Sequence, residues 1–477
     1  QPGGPNGAWT QDVVLNRFTV SHPSATLSVG DWSQTIRPGQ DMVFSTRLPG
    51  SRVDLRDAPL VFVGYGIKAP ERQWDDFKGQ DMRGKILVVL VNDADFEDPS
   101  LNTFNGRAMT YYGRWTYKYE EAARQGAAGV IIVHEAGPAS YGWATVNNSW
   151  SGPQFDILRQ NPSAERIAME SWMQRDLAVE MFRHAGLDFE ALKVQARSRD
   201  FQPVAITGAK LSARFDVASE QITTHNVIAR LPGTTHPDET ILYTAHWDHI
   251  GIGDPDANGD RIFNGAIDNA TGTAGVLELA RAFGRGPRPE RSIVMISFTA
   301  EESGLLGSEF YAANPVYPLA TTVAGFNLDA MNVYGRVENL QVVGMGQSNL
   351  DERLQAAAAL QGRPITAEAN PAAGSYFRSD HFPLAKRGVP MAYADGGGAF
   401  RDEPKAEREA AAGDYGARRY HQADDEWSPD WDYSGMIEDL AVVYAVGLDL
   451  ANSRDWPAWK PGSEFGPMRE RSAASRH

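Results

Sequence analysis

The sequence contains no cysteine among its 477 residues, which removes disulfides, thiolate metal ligands and a cysteine nucleophile together. It has no run approaching the ~18 apolar residues of a membrane span. Positive charge is short as well: 45 Lys and Arg stand against 61 Asp and Glu, a net charge of −16. That balance argues against nucleic acid or an anionic membrane surface as partner. Repeats, low-complexity tracts and a signal-peptide pattern are absent. The abrupt opening QPGGPNGAWTQ is read as a chain lacking its native start, including any export signal.

What is present suits an enzyme of more than one domain. At 477 residues, with 42% hydrophobic and 10% aromatic content, the chain exceeds one ordinary domain and can build large cores. Five residues in its second half stand beside strand-like runs: His246 in TAHWDHIG, Asp268 in NGAIDNATGTAG, Glu302 in FTAEESGLLGSEFYA, Asp329 in FNLDA and His421 in YHQADDEW. Glu301 adds a spare carboxylate. Two imidazoles and three carboxylates suit two borderline-soft divalent cations about 3.5–4 Å apart, one carboxylate bridging.

Local context gives these residues a place. ETILYTAHWDHIG is a β-branched and aromatic run ending in a Gly-rich turn, so His246 is expected at the carboxyl end of a strand, facing the crevice of an open α/β sheet. Asp268 precedes an apolar 3.6-period helix and can present both oxygens. RSIVMISFTAEE ends in Glu301 and Glu302, which in an extended segment point to opposite sides. Singly, a strand-end His is more often a satisfied polar group and a pre-helix Asp a cap. Together and in order they read as a two-metal hydrolase.

In that order the motifs resemble the co-catalytic di-zinc exopeptidases over roughly residues 206–455. Their relatives are bacterial leucyl-type aminopeptidases, glutamate carboxypeptidase II, the transferrin receptor and the glutaminyl cyclases. The resemblance implies that His246 and Asp329 hold one zinc, Glu302 and His421 the other, and Asp268 bridges them. It makes Glu301 the general base and Asp248 the carboxylate that fixes the His246 tautomer. Tyr420 matches a position near the metals that stabilises an oxyanion, and equally fits a core tyrosine. Arg378, in FRSDHFPLAKRGVP, matches a substrate-anchoring arginine, and equally fits an ordinary surface residue.

The implied activity is an aminopeptidase acting on peptides with a free amino terminus, located in the periplasm or secreted. A carboxypeptidase or dipeptidase would need a cationic pocket, for which Arg378, Lys386 and Arg387 are available. A glutaminyl cyclase works with one zinc in this family and fits five ligands poorly. A receptor-like binding protein would have lost ligands that this chain keeps. Oligomeric state and preferred side chain are not legible. DPDANGDRI at 254–262 opens like a calcium loop, with Asp254, Asp256, Asn258 and Gly259 at positions 1, 3, 5 and 6. Position 12 is Gly265 rather than Glu, so a polar surface turn is preferred, with Ca2+ at Asp254–Asp260 as the alternative.

The expected fold class is α/β, a mixed, mostly parallel sheet sandwiched by helices, with an inserted β-rich domain. Residues 1–50 and 206–455 would form the catalytic part and 51–205 the insertion. GKILVV followed by KYEEAARQGAAGVIIV resembles a protease-associated domain. Residues 456–477 lack periodicity and read as a surface or disordered extension.

Overall fold

The computed structural model describes residues 1–253, 255–256 and 258–476. The chain divides into two compact units: Gln1–Val13, Thr223–Ala369 and Ser375–His477 form one, Val14–Ile222 and Asn370–Gly374 the other. Among the described residues no helix is long and apolar enough to cross a membrane.

In the first unit ETILYTAH forms the end of the strand His236–His246, buried from Thr240 onward as a continuous apolar run between helical layers should be. It pairs in parallel with Arg291–Phe298 on one side and Thr322–Asn327 on the other. Thr322–Asn327 is parallel to Met391–Gly396, which is antiparallel to Leu340–Val343, itself parallel to Ile365–Ala367. Residues 227–231 lie antiparallel along Arg291–Phe298. Parallel neighbours require crossovers, here the helices Gly272–Arg285 and Leu306–Ala313.

Alternate strand residues part to opposite faces. Ile241, Tyr243 and Ala245 share a core with Val276, Leu279 and Phe283 of the first crossover helix and with Val443 and Val446 of the helix Ser434–Ala451. Tyr243 Oη also donates to the Val443 carbonyl at 2.9 Å. On the other face the Phe298 ring meets Tyr311 of the helix Leu306–Ala313 at 5.9 Å. The unit is therefore α/β, with a mixed, mostly parallel sheet between helices.

The second unit has its own parallel run. Residues 60–62 of the strand Arg52–Phe62 pair with Ile86–Leu90, which pairs with Gly129–His134, which pairs with Met169–Gln174. The helix Trp115–Arg124 joins two of these strands, and the chain leaves it through Gly126 at φ 71. Its Lys118 is buried, and Nζ donates to the carbonyls of Tyr65, Asn92 and Tyr112 at 2.7, 2.8 and 2.7 Å. Trp150 and Trp172 enter the same core as Val89, Val130 and Ile132.

Two boundaries differ from expectation. Residues 14–50 belong to the second unit rather than to the catalytic part, because 15–18 pair with Gln154–Ile157 and Met42–Ser45 with Met169–Gln174. The expected break after residue 205 falls inside the strand Val204–Leu231, and the units divide after Ile222. The extension 456–477 is likewise no loose tail: Trp459 and Phe465 are buried, and Arg469 is 4% exposed. Arg469 donates to the carbonyls of Thr322 and Val323 at 3.0 and 3.2 Å, which its uneven local sequence could not reveal.

Candidate metal centre

Parallel strands end at one edge of a sheet, and the loops leaving that edge converge. His246 is the last residue of its strand. Glu301 and Glu302 follow Arg291–Phe298, and Asp329 follows Thr322–Asn327, on the two flanking strands. Asp268 lies in the irregular turn Ala266–Thr271 before the helix Gly272–Arg285. The tight approach at Gly265 (φ 63) excludes a side chain, since a Cβ there would stand 2.4 Å from the Asp268 carbonyl.

The five expected ligands are brought together. His246 Nε2 lies 3.1 Å from Asp268 Oδ1 and 3.2 Å from Asp329 Oδ1. His421 Nε2 lies 3.2 Å from Asp268 Oδ2 and 3.1 Å from Glu302 Oε2. Each oxygen of Asp268 thus faces a different imidazole, and each imidazole has a second carboxylate. Ligand atoms at about 2.0–2.1 Å from a tetrahedral zinc are about 3.3 Å apart. The four contacts fit that edge, so the donor set suits two cations sharing Asp268.

The field points the same way. Burial opposes protonation of His246 and His421, yet the Asp268 and Asp329 carboxylates raise the first, and Asp268 and Glu302 raise the second to about 9. Burial would also raise Asp268, but the two imidazoles hold it below the usual carboxylate range. Without cations, protons on the imidazoles balance the carboxylates. Dications in the same places would do so more fully.

Glu301 differs from its neighbour. It is 9% exposed, and burial pushes its carboxyl well above the usual range, His246 opposing and Asp329, Asp380 and Glu302 adding. The pair sits in a turn rather than an extended segment: Ala300 has φ 54, and Glu301 O accepts from the amides of Gly304 and Leu305. Asp248 shapes that turn, its Oδ1 accepting from Glu301 N at 3.0 Å and its Oδ2 from Glu302 N at 3.3 Å. Asp248 also meets the His246 ring, more closely through its main-chain carbonyl than through its carboxylate. His246 Nδ1 lies 2.9 Å from the Asp248 main-chain carbonyl and 3.8 Å from its carboxylate.

Tyr420 is half exposed and stacks on His421 at 3.8 Å and 24°. Arg378 is exposed. Arg387 is held by Glu309 at 2.9 and 2.8 Å, so it is committed elsewhere than to a substrate carboxylate. Asp254 lies outside the described residues. In the rest of the calcium-like loop Asp256 Oδ1 accepts from the amides of Asn258 and Asp260, both at 2.8 Å, as a polar turn does.

Other residues escaped the motif reading. Asn269 Oδ1 accepts from Gly272 N and Ala330 N at 2.9 and 3.2 Å, and its Nδ2 donates to Leu328 O at 2.9 Å. It ties the Asp268 turn to the Asp329 loop. Ser379 Oγ donates to Asp329 Oδ2 and accepts from Asn327 Nδ2 at 2.7 Å. His249 Nδ1 lies 2.6 Å from Glu302 Oε1, and with Asp268 and Glu302 it forms a group whose ligand atoms could hold a metal ion. Its signal was the second histidine of HWDH.

The model of Peptidase family M28 matches residues 226–445, which include all five converging ligands. Over these residues, a little under half of the chain, its sequence is similar to peptidase family M28. Mouse aminopeptidase NAALADL1 is 34% identical over 370 residues, 66% of this chain and 46% of that protein. A probable zinc metalloprotease of Pyrenophora teres f. teres (strain 0-1) is 39% identical over 103 residues, 22% of either chain. The chain thus spans less than half the length of these curated relatives. Among solved structures, the aminopeptidase from Aneurinibacillus sp. strain AM-1 is 20% identical, with 95% of this chain and 85% of that one covered at a TM-score of 0.43. BSAP, a zinc aminopeptidase from Bacillus subtilis, is 19% identical, with 96% and 87% covered at a TM-score of 0.39.

Proposed function

We propose that the chain is a two-zinc aminopeptidase that hydrolyses the first peptide bond of substrates with a free amino terminus. The observation that carries this reading is the double-faced Asp268, one oxygen 3.1 Å from His246 Nε2 and the other 3.2 Å from His421 Nε2. His246 and Asp329 would hold one zinc, Glu302 and His421 the other. When bound, the two zinc ions supply a water acidified toward neutrality and a polarised scissile carbonyl. The similarity to mouse aminopeptidase NAALADL1 supports the same reading.

The protein's own groups then have separate tasks. Glu301, buried and with a raised proton affinity, takes the proton from the attacking water and returns it to the leaving amine. The Asp248 carboxylate, bonded to both amides of the pair, keeps Glu301 free for proton transfer while Glu302 turns to the cation. Tyr420, stacked on His421, offers its hydroxyl to the developing oxyanion. The surrounding carboxylates give a substrate ammonium a counter-charge that an acetylated terminus cannot use. Arg378, exposed, is assigned to anchoring the substrate.

A panel tests this. Metal-stripped protein is reloaded with zinc and offered leucine nitroanilide, its N-acetylated form, N-blocked peptides with a free carboxylate, and peptides beginning with glutamine. Hydrolysis of the free amine, abolished by chelator and restored by zinc, is expected. Equal cleavage of the acetylated substrate would sink the aminopeptidase assignment and leave a two-metal hydrolase. Release of the carboxyl-terminal residue, or cyclisation without hydrolysis, would replace it with a carboxypeptidase or a cyclase.

A further inference from the structure

We infer that Asp425 is a positioning residue that locks the Asp268 turn onto the His421 loop, and so sets the aim of the shared carboxylate. The inference rests on the two-zinc reading above. Asp425 is 1% exposed, four residues beyond His421. One carboxylate oxygen accepts from the amide of Ile267 at 2.9 Å and the other from the amide of Asp268 at 3.0 Å. Its main-chain carbonyl accepts from Ala266 N at 3.1 Å. Three successive amides of the turn are thus held by one residue.

These amides need such a partner. They precede the helix Gly272–Arg285 and find no acceptor in it, because a helical amide bonds back to the carbonyl four residues earlier, and a buried orphan N–H is costly. A local cap would come from the same segment. Here the acceptor is 157 and 158 residues away in sequence, so the bonds join two ligand loops rather than finish one helix. On its own side, Asp425 N donates to Gln422 O at 3.2 Å, which closes the turn that follows His421. A carboxylate that accepts from adjacent amides fixes the peptide plane between them, and with it the direction of the Asp268 side chain.

Charge makes the choice of residue informative. Another carboxylate near an acidic cluster costs electrostatic energy, and an asparagine would avoid that cost but has one acceptor oxygen where the carboxylate has two, so it could not keep a separate oxygen on each amide. The neighbouring Asp424 is exposed, so only the second aspartate of HQADDEW is used in this way.

The test measures zinc binding rather than turnover. Metal-stripped wild type, Asp425→Ala, Asp425→Asn and the control Asp424→Ala are titrated with zinc against a competing chelator, with thermal unfolding of each metal-free protein recorded alongside. Wild type should take two zinc ions. In Asp425→Ala the weaker affinity should fall ~10–100-fold, as loss of a residue that orients a ligand does, and Asp425→Asn should fall between. Asp424→Ala should match wild type. If Asp425→Ala does not fold, Asp425→Asn decides. Unchanged zinc affinities in the folded Asp425 variants, or an equal loss in Asp424→Ala, would overturn the inference. Fewer than two zinc ions on wild type would overturn the two-zinc reading first, before any variant is compared.

Discussion

Adjacent carboxylates can do different chemistry when the backbone between them is held. Glu301 and Glu302 both bond through their amides to Asp248, yet Glu302 Oε2 reaches His421 while Glu301 stays buried with a raised proton affinity. Glu301→Gln should therefore retain two zinc ions and lose roughly 10²–10⁴-fold in kcat, checked by metal analysis beside steady-state kinetics. Loss of a zinc ion instead would mean that the two glutamates have exchanged roles. His381 gives a second residue-level prediction. It is fully buried, its ring 4.6 Å from Tyr376 and 5.4 Å from Tyr393, and burial lowers its pKa from 6.5 to about 3. The unfolded chain then binds the extra proton, so this stability is complete above pH 6.5 and lost as pH falls toward 3, at about 1.4 kcal/mol per pH unit. Urea unfolding of the metal-free protein between pH 4 and 7 should show a steeper acid loss in wild type than in His381→Phe. Parallel slopes would refute it.

At the scale of elements, the candidate centre follows from three neighbouring parallel strands that end together, Arg291–Phe298, His236–His246 and Thr322–Asn327. Their order was legible because each is a short, continuous apolar run followed at once by its acidic or histidine motif. The irregular turn carrying Asp268 was legible only as a pre-helix position. Of the two readings of the final segment, a surface extension or a disordered one, the structure favours the first. Its Trp459 Nε1 donates to Gly388 O at 2.9 Å, and Phe465 is 2% exposed. Burying two such rings is worth about 3–6 kcal/mol. Deleting residues 456–477 should lower the equilibrium stability of the first unit by a loss of that order in urea unfolding. An unchanged midpoint would mean that the segment is not docked in solution.

For the whole molecule, metal binding should stabilise one unit and spare the other. All candidate ligands lie in residues 223–369 and 375–477, and none in 14–222. Free zinc at about 100 times its dissociation constant adds about 2.7 kcal/mol per site to a state that alone binds it. Hydrogen exchange resolved by peptide should then show protection rising with zinc in peptides from the first unit and unchanged in peptides from 14–222. Equal protection of both units would place a metal outside the described cluster. The net charge of −16 belongs to this scale as well. It bears on partners and solubility, not on the fold.

Which residues meet was implied by the family resemblance, while sequence alone placed His246, Glu301, Glu302 and Asp329 at strand ends, because a strand, its terminal turn and its ligand are contiguous, and periodicity and turn chemistry act locally. It also determined the α/β class, since parallel strands with helical crossovers leave a repeating local pattern. Only the tertiary structure decided that the Asp248 carboxylate holds the glutamate pair while its main-chain carbonyl meets the His246 ring, that residues 14–50 join the second unit, and that the last segment is docked. It also decided that Asp425 and Asn269 bind the ligand loops to one another. Each of those depends on a hydrogen bond or a strand pairing between segments far apart in the chain. A carboxylate or an amide looks the same in sequence whether it faces water or a distant backbone N–H, and only the folded chain distinguishes the two.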